Sequence, residues 1–214
     1  MEQREVSELA GRPFFQDSLT GFGIGFALIT FVTGILYLLG YYSPVTIHPP
    51  TVLFKPLIIF SVMGVWEEII FRGIIYRITE NSLGTIHALL ISSLISGFIH
   101  FSNSGFNWFS GLAIALELGL LTGIAYTLTG RLWMPIALHI GWNFNFVIFG
   151  TVVSGAKEFS SLLESRLTGP ELVTGGEFGP ENSLLTILIS LALFVLLFKI
   201  ASRKGKLQIP TKGR

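Results

Sequence analysis

The stretch Leu184-Leu185-Thr186-Ile187-Leu188-Ile189-Ser190-Leu191-Ala192-Leu193-Phe194-Val195-Leu196-Leu197-Phe198-Lys199-Ile200 has no ionisable side chain before Lys199. A bilayer core calls for about 20 predominantly apolar residues in one helix, and this run meets that description. Working outward from it, five more apolar stretches precede it, at 19–41, 52–78, 83–101, 108–129 and 132–153. The pattern predicts an all-α fold: a polytopic membrane helix bundle of about six transmembrane helices. Broken or re-entrant segments are expected where the runs turn polar. The second run carries Glu67, Glu68, Arg72 and Arg77, the third His87 and His100, the fourth Glu117, and the fifth His139, Asn143 and Asn145.

Composition agrees. Of 214 residues, 50% are hydrophobic and 13% charged, and the mean hydropathy is +0.68. Soluble domains are typically about 25% charged, so there is too little charge here for a wholly water-facing surface. The absence of Cys excludes a disulfide scaffold, a Cys nucleophile and a Cys-ligated zinc site. A net charge of +1 argues against a nucleic-acid-binding surface.

The organisation reads as a polar lead-in (1–18), a membrane-embedded domain (19–200) and a basic tail (201–214). The first apolar run is too long for a signal-peptide core and is expected to be retained. Within the membrane domain the polar motifs fall at 52–149, and a net acidic connection rich in Gly and Pro spans 154–183. Its first part, 157–166, is expected to form a short surface helix and the remainder turns. Six spans put both termini on one side. Lys and Arg then gather on that side, against Lys55, Lys157 and Arg166 on the other, which predicts cytoplasmic termini and a cell-membrane location.

Ionisable residues inside a membrane are costly and usually mark functional sites. Taken singly, each has a plain packing explanation. Glu68 and Arg72, at i and i+4, can form a structural ion pair, Asn143 an interhelical hydrogen bond, and His100 a satisfied helix end. Glu117 can rest against a neighbouring helix, and His48 and His87 carry no assigned role. Taken together, an acid, two histidines and an asparagine on three apolar spans form a set suited to hydrolysis. Peptide hydrolysis needs an activated water and a donor for the developing oxyanion. His139 and Asn143, one helical turn apart, face the same way. Zinc held by Glu67, His100 and His139 is the alternative, although the His-Glu-x-x-His signature is absent.

At these residues the sequence resembles the CPBP intramembrane proteases, also called Abi or CAAX amino-terminal proteases, which include the type II prenyl-protein endopeptidases. The first motif stands as Glu67-Glu68-Ile69-Ile70-Phe71-Arg72-Gly73 and the third as His139-Ile140-Gly141-Trp142-Asn143. The second is represented by Gly97-Phe98-Ile99-His100, with Phe98 two residues before the histidine and Ser96 at the fourth. Thr129-Gly130-Arg131-Leu132-Trp133-Met134-Pro135 resembles the family's lead-in to the third motif, and 175–181 a loop of some bacterial members.

The resemblance implies Glu67 as the base that activates water, His100 as its aid, and His139 with Asn143 as the oxyanion site. Glu68 and Arg72 would give support, and Glu117 is a possible further member. It implies a membrane endopeptidase acting on a membrane-anchored protein or peptide, with metal dependence open. A non-catalytic immunity factor against peptide toxins, or a small proton-coupled transporter, is the alternative class. The span boundaries set His100 and His139 near opposite membrane faces. Meeting would require shifted or broken spans, with residues 102–107 lying inside the protein.

Overall fold

The computed structural model describes residues 7–9, 11 and 13–210. Glu2, Arg4, Glu5 and Arg12 of the lead-in, and Lys212 and Arg214 of the tail, lie outside the described residues. Six long helical runs organise the chain. The first is α1 (Phe14–Leu38). The second joins α2 (Phe54–Glu68) through a π-helix (Ile69–Tyr76) to α3 (Arg77–Leu83). The third is α4 (Thr85–Phe98) with a 3₁₀ turn (Ile99–Ser102). The fourth joins α5 (Trp108–Ile114) through a second π-helix (Ala115–Gly119) to α6 (Leu120–Thr129). α7 (Trp133–Phe149) follows, and after a short helix α8 (Glu171–Thr174) comes the last run, α9 (Leu184–Arg203).

Four of these runs are long and apolar enough to cross a membrane: Phe14–Leu38, Thr85–Ser102, Trp108–Thr129 and Leu184–Arg203. The second run carries six charged residues, Lys55, Glu67, Glu68, Arg72, Arg77 and Glu80, and α7 has only 17 residues. The all-α membrane bundle is therefore the fold. The Trp108–Thr129 run is 83% buried and Leu184–Arg203 only 28%, which places the former at the centre and the latter at the rim. Exposed Phe31, Leu38, Ile58, Val62, Trp66 and Leu188 give the outside an apolar face.

Glycines let the central helices approach closely. A Cβ on Gly21 would lie 2.2 Å from the Met134 carbonyl oxygen, and one on Gly25 2.3 Å from that of Leu138. Gly141 of α7 answers with its own face against Phe22. This is a Gly-x-x-x-Gly seam, in which small residues permit backbone-to-backbone packing. Asn145 secures it by donating to the Phe26 carbonyl and to Thr30 Oγ1.

One expectation on the connecting segments is overturned. Residues 157–166 do not form a surface helix. Instead β2 (Leu163–Leu167) pairs antiparallel with β1 (Tyr42–Ile47), from Tyr42↔Leu167 to Ile47↔Leu163. Alternating half-buried and exposed positions in β2 match the pleat of a strand rather than a helical face. A second boundary also moves. The fifth span ends at Phe149, where Gly150 adopts a left-handed cap with φ 67°.

The two ends of the bundle differ. At one, the Glu8 carbonyl accepts from the Leu132 amide, and the segment after α9 returns to pair Gln208 with Thr85. A polar cavity of about 320 Å³ at this end is lined by Glu8, Arg77, Glu80, Lys206 and Gln208 among others. The Arg131 guanidinium grips the Asp17 carboxylate there with two hydrogen bonds, 2.6 and 3.0 Å, which raises the affinity of Arg131 for its proton. The other end holds the strand pair and the loops around Asn103 and Ser154. The 102–107 loop is not interior: most of it is exposed, and Asn103 ties it to the Ser154 carbonyl.

Candidate active site

Glu67 and Glu68 end α2, and the helix widens into the π-form immediately after them. Short π-helical insertions recur at functional sites because they re-aim side chains without ending the helix. Consecutive helical residues diverge by about 100°, and the two acids do part company. The Glu67 side chain is 16% exposed and lines a cavity, whereas Glu68 is fully buried.

Glu68 is held from two directions. Arg72 Nη1 donates to Glu68 Oε1 at 3.2 Å. Arg72 Nη2 donates to the Gly119 carbonyl at 2.7 Å, and Gly119 is the last residue of the second π-helix. One guanidinium thus joins the two π-segments. From α7, His139 Nδ1 lies 2.9 Å from the same Glu68 Oε1. This fixes the imidazole plane and turns Nε2 toward Glu67, whose Oε2 is 3.9 Å away.

The cavity measures about 260 Å³. Glu67, His100, His139 and Asn143 all line it, together with Asn103, which sequence reasoning did not single out. Phe60, Met63, Ile114 and Leu118 supply an apolar wall, and Val153, Ser154, Ala156, Glu158 and Phe159 a roof. The roof exists because α7 stops at Phe149 and the chain folds back. Phe159 then packs on Phe60 with ring centroids 4.7 Å apart. His100 and His139 meet at this cavity, so the expected mismatch in depth between them does not hold. His100 stands in the 3₁₀ turn after α4, its Nδ1 3.2 Å from the Ser96 carbonyl, so Nε2 is its available nitrogen.

Glu117 is not brought to this cavity. It is fully buried in the second π-helix, and neither carboxylate oxygen has a hydrogen-bond partner. Among the described residues no three His, Cys, Asp or Glu side chains are grouped closely enough to hold a metal ion. Nδ1 of His139 is committed to Glu68 and Nδ1 of His100 to a carbonyl, which leaves Nε2 of each imidazole to act in the cavity. The roof was missed because its residues carry no catalytic signature. The readable hint was Gly150 directly after an aromatic helix end.

A family model matches the region that carries the three motifs. Residues 49–145 match the family described as type II CAAX prenyl endopeptidase Rce1-like. A protein of Bacillus subtilis (strain 168), named "Putative membrane peptidase YdiL", is 32% identical over 123 residues. That stretch is 57% of this chain and 46% of the relative, so the chain spans less than half the length of the curated protein it matches. No solved structure matches. The matched residues hold all three motifs, from Glu67 through His100 to Asn143, so the segment that carries them is similar to the Rce1-like family of type II CAAX prenyl endopeptidases.

Proposed function

We propose that the chain is a membrane endopeptidase, a hydrolase that cleaves peptide bonds of a membrane-anchored protein or peptide with a water activated by Glu67. The observation that carries this reading is convergence. Residues from three separate helical runs, Glu67, His100, His139 and Asn143, line one small cavity with an apolar wall. Such a wall suits a substrate that arrives through the bilayer, and a partly enclosed cavity strengthens the electrostatic contacts made inside it.

The roles follow from the donors and acceptors. With its Nδ1–H given to Ser96, a neutral His100 presents a lone pair at Nε2 and orients the water by accepting one of its hydrogens. Glu67 takes the other proton as the water oxygen bonds to the substrate carbonyl carbon. The carbonyl oxygen becomes an oxyanion, which the Asn143 side-chain amide meets as a donor. His139 can donate from Nε2 only if its ring carries both protons, since Nδ1 is engaged by Glu68. In that state Glu67, Glu68, Arg72 and His139 sum to zero charge, the arrangement that buried charges favour. When the C–N bond breaks, Glu67 returns its proton to the leaving amine, and an acid and an amine result.

The test is cleavage of membrane-anchored peptides by the purified chain in detergent. Glu67→Gln keeps the side chain's shape and removes the proton acceptor, so turnover should fall by about 10²–10⁴ with folding intact. Asn143→Ala should lose about 10²–10³ and retain measurable activity. Full activity of Glu67→Gln would overturn the assignment. Stoichiometric zinc lost on His139→Ala, with activity restored only by zinc, would replace the glutamate route with a metal one.

A further inference from the structure

We propose that Glu181 is a positioning residue of the cavity: a buried anion that clamps the roof through Ser154 and ties the loop after His100 to the helix carrying His139 and Asn143. The inference rests on reading the cavity as catalytic. Glu181 lies just before α9, distant in sequence from all three motifs, and is only 1% exposed. A carboxylate taken out of water needs donors, and three converge on this one. Trp142 Nε1 donates to Oε1 at 2.7 Å. The Ser154 backbone N–H and the Ser154 hydroxyl both donate to Oε2, the latter at 2.8 Å.

Both partners belong to the site. Trp142 immediately precedes Asn143 in α7. Ser154 lines the cavity roof, and it is the only non-glycine with a positive φ among the described residues, at 45°. Such a conformation is uncommon for a residue with a Cβ and persists where surrounding contacts over-determine it. Glu181 supplies two of those contacts. A third is the Ser154 carbonyl, which accepts from Asn103 Nδ2 at 2.8 Å. Asn103 stands three residues beyond His100 and lines the same cavity. The chain of contacts Asn103–Ser154–Glu181–Trp142 therefore crosses from the His100 side of the cavity to the His139 side. Gly155 continues the clamp by donating its N–H to the Phe178 carbonyl at 2.9 Å.

Glu181→Gln is the sharpest change, because its NH₂ group would face a donor whichever way the amide is turned. The chain has no Cys, so Ala156→Cys in the roof reports its opening by reaction with a water-soluble maleimide, independently of catalysis. In folded Glu181→Gln the labelling rate should rise about tenfold, as expected for a local opening. The kcat for a membrane-anchored peptide should fall by about 10²-fold, the scale of a small misplacement of reacting groups, with KM much less affected. Glu181→Asp should recover part of the kcat. Unchanged labelling overturns the proposal, as does a fall in melting temperature with kcat per folded molecule preserved. If Glu181→Gln does not fold, Ser154→Ala, which removes one of the three donors, is read the same way: faster labelling supports the clamp and parental labelling overturns it. If the parent cleaves no peptide, the protease reading falls, while the labelling comparison still decides the clamp.

Discussion

Glu67 and Glu68 are consecutive, yet one carboxylate faces a cavity while the other is enclosed between Arg72 and His139. Exchanging each for Gln should separate chemistry from support. Glu67→Gln should lower turnover and leave the melting temperature near the parent's, whereas Glu68→Gln should lower both. Arg72→Met strands the buried Glu68 charge and should cost about 3–5 kcal/mol of stability, read as a lower melting temperature in detergent. Equal melting temperatures for Arg72→Met and the parent would show that the pair does not carry the packing assigned to it. The divergence of the two acids was legible from the helical period alone. The Glu68–His139 contact was not, since the partners are 71 residues apart and no local pattern announces it. That contact adds an orienting role for Glu68 to the supporting one its pairing with Arg72 implied.

At the scale of elements, the α1–α7 seam makes a sharp prediction because α1 contains its own control. Gly25 has no room for a Cβ against the Leu138 carbonyl, whereas Gly23 opens onto empty space. Gly25→Ala should therefore destabilise the protein by about 1–3 kcal/mol, as overpacking does, and Gly23→Ala should be neutral or slightly stabilising. Thermal unfolding of the two variants in one detergent checks this; equal melting temperatures would mean that the helices slide apart without cost. The Gly-x-x-x-Gly spacing that builds the seam stands openly in the first apolar run. Hydropathy located the six runs, but it could not find where the fifth stops, because Thr151-Val152-Val153 continues the apolar character past the Gly150 cap. The strand pair was hidden for a different reason. β1 and β2 are short, lie far apart in sequence, and specify each other only once the bundle has brought them together.

For the whole molecule, the consequential fact is that the cavity and most of the basic residues lie toward opposite ends. The roof over Glu67 comes from the connection after α7, at the end that holds the strand pair. Arg77, Arg131, Arg203, Lys204 and Lys206 belong to the other end, where the α3–α4 and α6–α7 turns meet the chain after α9. Arg72 drops out of this count, because it is buried and paired rather than in a loop. Cytoplasmic loops carry the excess of Lys and Arg, so the basic end should face the cytoplasm and the roof the outer side. Scissile bonds should then lie in the outer half of the membrane or just beyond it. A single Cys at exposed Ser160, in a chain with no other, tests this in intact cells with a membrane-impermeant maleimide. Labelling without permeabilisation is the expected result, and a peptide substrate anchored with its cleavage site outside should be cut while its inverted counterpart is spared. If Ser160→Cys reacts only after permeabilisation, the orientation is reversed. The site would then open to the cytoplasm with its internal geometry unchanged, and the inverted peptide should be the one that is cleaved.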